Sequence, residues 1–107
     1  MSTKLLVNLG EAQRIPIGEG RQFLVGDQMI AVFRVREGSI YATQASCSHR
    51  SGPLADGLVG GAKVVCPLHS YAFDLCSGKA LGHTCAALKT YSATINEDGD
   101  VLVDIDW

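Results

Sequence analysis

Apolar and polar residues alternate along much of this chain with the two-residue period of half-buried strands. The pattern is clearest at the C-terminal end, where Val101, Val103, Ile105 and Trp107 share one face and Asp104 and Asp106 take the other. Tyr91, Ala93 and Ile95 alternate in the same way with Ser92 and Thr94. Between these runs lies Asn96-Glu97-Asp98-Gly99-Asp100, whose Asp-Gly pair favours reversal, so the last two strands are expected to pair as a hairpin. Upstream, Lys4 to Leu9, Gln22 to Val25, Gln28 to Val35 and Ser39 to Thr43 read as strands, with turns at Gly26-Asp27 and Glu37-Gly38. Met29, Ala31, Phe33 and Val35 are expected to supply one buried face. The stretch from Gly10 to Gly20 carries Pro16 and three glycines and reads as a connection with at most one short strand around Ile15 to Ile17. No amphipathic helix, internal repeat or low-complexity tract interrupts this all-β pattern.

Composition narrows the picture further. With 107 residues, 47% of them apolar and 19% charged, the chain closes one hydrophobic core and reads as a single domain over 1–107, which excludes large multidomain enzymes. Nine Lys and Arg against eleven Asp and Glu give a formal net charge of -2, and no basic run occurs, which argues against nucleic acid as a partner. No apolar stretch approaches the roughly 18 residues of a membrane span. The start, Met1-Ser2-Thr3-Lys4-Leu5-Leu6-Val7-Asn8, meets a polar residue too soon for a secretory signal, so a cytoplasmic location is expected. A reducing compartment favours metal ligation or free thiols over a disulfide framework for the four cysteines.

Those cysteines are not equivalent. Between Ala45 and Leu75, two loop-like pieces, Ser46 to Asp56 and Pro67 to Ser70, flank a strand at Lys63 to Cys66. Cys47-Ser48-His49 and Cys66-Pro67-Leu68-His69 give a C-x-H pair, sixteen intervening residues, then a C-x-x-H pair. Two short loops at the ends of adjacent strands can aim two thiolates and two imidazoles at one point. Such a set suits a single zinc ion or a [2Fe-2S] cluster with cysteines on one iron and histidines on the other. Zinc fingers usually pair like with like, whereas here each loop donates one of each. A mixed pair per loop suits the dinuclear cluster, with the leading cysteines on one iron and the trailing histidines reaching the outer one. A Cys-His hydrolase dyad lacks a third orienting residue.

The segments Cys47-Ser48-His49-Arg50-Ser51-Gly52-Pro53-Leu54-Ala55-Asp56-Gly57 and Cys66-Pro67-Leu68-His69-Ser70-Tyr71-Ala72-Phe73-Asp74 resemble the two cluster-binding loops of a Rieske [2Fe-2S] protein. The likeness extends over nearly the whole chain, including the Cys85-Ala86-Ala87-Leu88-Lys89-Thr90-Tyr91 run. It implies an antiparallel sandwich with a small cluster-binding subdomain at about 45–75, Cys47 and Cys66 on the inner iron, and His49 and His69 on the outer one. Respiratory relatives carry an additional cysteine in each loop; Gly52 and Leu68 occupy those places here, which implies a potential toward the low end of the Rieske range.

A lone domain of this kind carries electrons and is not a catalyst by itself. The His49-Arg50-x-Gly-Pro-Leu-Ala-x-Gly form resembles first the small subunit of assimilatory NAD(P)H nitrite reductase, which implies a large subunit with flavin and sirohaem as partner. The second resemblance is to the ferredoxin of aromatic-ring dioxygenases, which implies a flavoprotein reductase and a terminal oxygenase. A zinc-bound interaction module is the alternative of a different class. Cys76 and Cys85 are expected to be reduced, partly buried thiols, and His83 a surface residue. Tyr71 and Phe73 are expected to pack beneath the second loop. Pro53, Leu54, Pro67 and Leu68 are expected to pack the loops together and leave a small apolar patch around the histidine edges. Asp56, Lys63 and Asp74 read as solvated charges.

Overall fold

The computed structural model describes residues 4–35, 38–46, 53–66, 71–82 and 86–106. Its strands are β1 (Lys4–Glu11), β2 (Glu19–Val25), β3 (Gln28–Arg34), β4 (Ile40–Gln44), β5 (Leu58–Gly60), β6 (Lys63–Val65), β7 (Ala72–Asp74), β8 (Ala80–Leu81), β9 (Thr90–Tyr91), β10 (Ala93–Ile95) and β11 (Asp100–Asp106). They form three antiparallel sheets in the orders β1-β11-β10, β2-β3-β4-β9 and β5-β6-β7-β8. Apart from the strands, the regular elements among the described residues are two 3₁₀ turns, Ala12–Arg14 and Leu54–Asp56. The chain is all-β, as its alternation and turn residues require.

The β2-β3-β4-β9 sheet is the middle layer. Because successive side chains of a strand point to opposite faces, β3 feeds two cores at once. Ala31, Phe33 and the following Val35 pack with Leu54, Ala55, Val64, Cys66, Phe73, Leu75 and Leu88 toward the β5-β8 sheet. Ile30 and Val32 face the other way, onto Ile15, Val101, Val103 and Ile105. Ile30, Ala31, Val32 and Phe33 are all fully buried, whereas Met29 is 45% exposed. The expectation of one buried face led by Met29 is therefore corrected: β3 is buried on both faces from Ile30 onward, and Met29 lies out at the hairpin tip opposite Leu24. Complete burial of a phenylalanine contributes about 1.5–3 kcal/mol, and Phe33 and Phe73 hold the middle layer to the third sheet.

Turns follow the residues that demanded them. Gly26, with φ +60°, starts the two-residue reversal between β2 and β3. The Asn96 side chain accepts from Asp98 N–H and Asp100 N–H at 3.0 and 2.9 Å and shapes the expected β10-β11 hairpin. The connection after β1 is as expected, and one other expectation changes. The Ile15–Ile17 stretch forms no strand, because Ala12–Arg14 makes a 3₁₀ turn that delivers Ile15 into the core. The run from Tyr91 to Ile95 is not one strand: it divides at Ser92, with Thr90–Tyr91 joining β4 and Ala93–Ile95 joining β11.

Candidate metal centre

Two loops of the third layer begin and end at closed stems. The first leaves β4 through Ala45 and Ser46 and returns at Pro53, where Leu54 N–H donates to Ala45 C=O at 2.9 Å and Ser46 pairs with Pro53. The second leaves β6 at Cys66 and returns at Tyr71, closed by Cys66 N–H donating to Tyr71 C=O at 2.7 Å. The stems lie against each other. Leu54, Ala55, Val64, Cys66 and Phe73 share one apolar cluster, and the returning arm of the first loop presses so closely on β6 that a Cβ on Gly57 would strike the Val65 carbonyl.

A third segment is stitched to both. Leu88 is buried in the same cluster, and its N–H donates to Gly78 C=O at 2.7 Å. Gly78 adopts φ +80°, and a Cβ there would collide with the Leu88 carbonyl, so only glycine fits. The next residue, Lys89, meets Gln44 at the foot of the first loop: Gln44 N–H donates to Lys89 C=O at 2.8 Å, and Lys89 N–H donates to Gln44 Oε1 at 2.7 Å.

Of the four expected ligands, Cys66 lies within the described residues, and Cys47, His49 and His69 lie outside them. Cys66 is a free thiol, 1% exposed, at the stem of the second loop. Among the described residues no three metal-ligating side chains converge. A buried, unbridged sulfur set among apolar side chains, on a loop stem beside a second closed loop, fits the inner, sulfur-ligated end of a cluster by the chemistry of its donor. Arg50, Gly52, Pro67, Leu68, His83 and Cys85 also lie outside the described residues.

Tyr71 and Phe73 pack in the apolar cluster at the foot of the second loop, Phe73 with no exposure. Leu54 does not contribute to a surface patch, because it is fully buried in the apolar cluster. Cys76 is free but exposed, not partly buried. Asp56 and Lys63 are exposed, as expected of solvated charges. Asp74 is not simply solvated: Oδ1 accepts from Cys76 N–H at 3.1 Å and Oδ2 from Ser77 Oγ at 3.0 Å, which folds the chain toward Gly78. The spacing Asp74-x-x-Ser77-Gly78 carried that turn signal. Gln44 was missed, since its partners at Lys89 lie far along the chain.

Paired, stem-closed loops beside a small antiparallel sheet, each with a cysteine followed closely in the sequence by a histidine, suit an iron-sulfur electron-transfer domain. Residues 6–92 match the family model of the Rieske [2Fe-2S] domain. The ferredoxin component of the naphthalene 1,2-dioxygenase system of Pseudomonas aeruginosa is 38% identical over 95 residues, covering 85% of this chain and 86% of that protein. Among solved structures, the ferredoxin in a complex with the oxygenase of carbazole 1,9a-dioxygenase matches with a TM-score of 0.80 and 29% identity, over 91% of this chain and 99% of that one. A Mycobacterium tuberculosis protein provisionally described as an NADH-dependent nitrite reductase small subunit matches with a TM-score of 0.88 and 22% identity, over 96% of each chain, a likeness of fold alone. The chain belongs to the Rieske [2Fe-2S] domain family. Its cofactor is a Rieske-type [2Fe-2S] cluster, and its function is electron transfer. No helix among the described residues is long and apolar enough to cross a membrane.

Proposed function

We propose that this chain is the ferredoxin component of a ring-hydroxylating oxygenase system, taking electrons one at a time from a flavoprotein reductase and passing them to a terminal oxygenase in the cytoplasm. The observation that carries the proposal is the 38% identity, over most of both chains, to a dioxygenase ferredoxin. The resemblance to nitrite reductase small subunits, which the first loop's wording put foremost, is supported at 22% identity by fold alone.

We propose Cys47 and Cys66 as ligands of the inner iron and His49 and His69 as ligands of the outer one. The cluster, when bound, supplies a site that accepts and releases one electron. The chain's own residues do the rest. Burial of Cys66 in the Leu54–Phe73 cluster keeps water from its sulfur. The stem bond from Cys66 to Tyr71 and the bond from Leu54 to Ala45 hold the loop feet in fixed register. Four ligands divided between two loops would tie those loops together, so the bound cluster would stabilise the subdomain. Redox encounters of this kind bury little surface, below about 1,200 Å² in total, and dissociate quickly.

Reconstitution separates the two systems. The dithionite-reduced protein is mixed in a stopped-flow instrument with a terminal ring-hydroxylating oxygenase, and separately with the flavin- and sirohaem-containing large subunit of a nitrite reductase. Reoxidation by the oxygenase within the time of its turnover, with no gain in NADH-dependent nitrite consumption, is the expected result. Restored nitrite consumption, without electron delivery to the oxygenase, would reverse the assignment.

A further inference from the structure

We infer that Gln44 is a positioning residue for the cluster, fixing the ascending arm of the first loop against the Leu88–Lys89 segment. The inference rests on the ligand assignment proposed above, which places a ligand at Cys47. Gln44 is the last residue of β4, and its amide works in both directions. Nε2 donates to Ser46 C=O at 2.8 Å, and Oε1 accepts from Lys89 N–H at 2.7 Å. A single side chain thus holds the peptide carbonyl that immediately precedes Cys47 and the main chain of Lys89.

The consequences follow from what else holds those two places. The descending arm of the first loop is already fixed, with Leu54 fully buried and Gly57 against the β6 backbone. The ascending arm has the Leu54-to-Ala45 bond and the Ser46–Pro53 bridge at its foot, and both run to the other arm of the same loop. The main chain of Gln44 is itself bonded to Lys89 C=O, in a different part of the molecule, and its side chain extends that tie to Ser46. Lys89 follows Leu88, whose N–H is bonded to Gly78, and Gly78 N–H is bonded to Asp74 C=O at the end of β7. Since β7 follows the second loop, the path Ser46–Gln44–Lys89–Leu88–Gly78–Asp74 links the feet of both loops. Partners just outside a metal's ligands orient those ligands and tune the metal, and here the partner acts through the peptide next to one.

The test uses the loaded protein. Gln44→Met keeps the length of the side chain and removes both hydrogen bonds. Gln44→Glu keeps an acceptor for Lys89 and removes the donor to Ser46. Gln22→Met, at an exposed position of β2, is the control. Three quantities are read: the g values of the reduced cluster, its midpoint potential, and the rate at which visible absorbance is lost to a chelator. Gln44→Met is expected to lose absorbance about five- to tenfold faster than wild type, with shifted, broadened g values and an altered potential. Gln44→Glu should fall between Gln44→Met and wild type in loss rate, and Gln22→Met should match wild type. If both Gln44 variants keep wild-type g values, potential and loss rate, or change only the melting temperature, the inference is overturned. If wild type itself shows no exchange-coupled iron, the ligand assignment fails and the inference falls with it.

Discussion

Replacing Gly78 by alanine tests the packing that joins the third segment to the cluster subdomain. At φ +80° an alanine carries strain of about 1–2 kcal/mol. Its Cβ would also collide with the Leu88 carbonyl, and because both partners are main chain no flexible side chain can yield. Relief requires the two strands of chain to separate, which weakens the 2.7 Å bond from Leu88 N–H to Gly78 C=O by about 0.5–1.5 kcal/mol and draws Leu88 from its buried site. The stiffer unfolded chain returns about 0.4–1 kcal/mol. With about 1 kcal/mol for partial exposure of Leu88, a net loss of about 2–4 kcal/mol is expected, against a total stability of order 5–15 kcal/mol for domains of this kind. Gly82→Ala isolates the collision, because Gly82 has nearly the same φ, +78°, and nothing within 4 Å of an added Cβ. That variant should lose only about 1 kcal/mol. Anaerobic urea unfolding of the two holoproteins, followed by circular dichroism, measures the difference. Equal losses at both positions would mean that the contact between Gly78 and Leu88 does not constrain the fold.

Other substitutions follow from burial and ligand roles. Cys66→Ser should abolish normal cluster assembly and also leave a hydroxyl in the apolar cluster, at about 1–3 kcal/mol if it stays unpaired; the as-purified visible spectrum and urea midpoint report both effects. Cys76→Ser, at an exposed and free cysteine, should leave the visible spectrum intact, and bleaching there would overturn the ligand set. Leu58→Ser changes a side chain that is 77% exposed on β5 and should alter stability by no more than about 0.5 kcal/mol in thermal unfolding; a larger loss would mean the β5 edge is covered.

The parts of the fold legible in the sequence were those set by neighbours in the chain. Gly26-Asp27 and the Asn96–Asp100 turn announced their reversals because the backbone needs those residues locally. Val101, Val103 and Ile105 showed the buried face of β11 because its other face carries Asp104. The same method failed on β3, where Ile30 to Phe33 are apolar on both faces and alternation holds no information about which way each points. It failed again at Ser92, where the chain passes from one sheet to the next without a glycine or proline to mark the step; Asp104 N–H donating to Ser92 C=O shows where the change occurs. The proposed metal centre shows in the sequence as spacing, since each cysteine and histidine pair is separated by only one or two residues. Gln44 does not, because a lone polar residue at a strand end reads as solvent-facing until Lys89 is brought beside it.

The claim on which the account rests is a cluster with one sulfur-ligated and one nitrogen-ligated iron, held by Cys47, Cys66, His49 and His69. Mössbauer spectroscopy of the anaerobically purified, ⁵⁷Fe-enriched protein tests it most directly. In the oxidised state the spectrum is expected to show two quadrupole doublets of equal area with different isomer shifts, one for each ligand set. A single doublet, or a protein that carries one zinc and no iron, would contradict it.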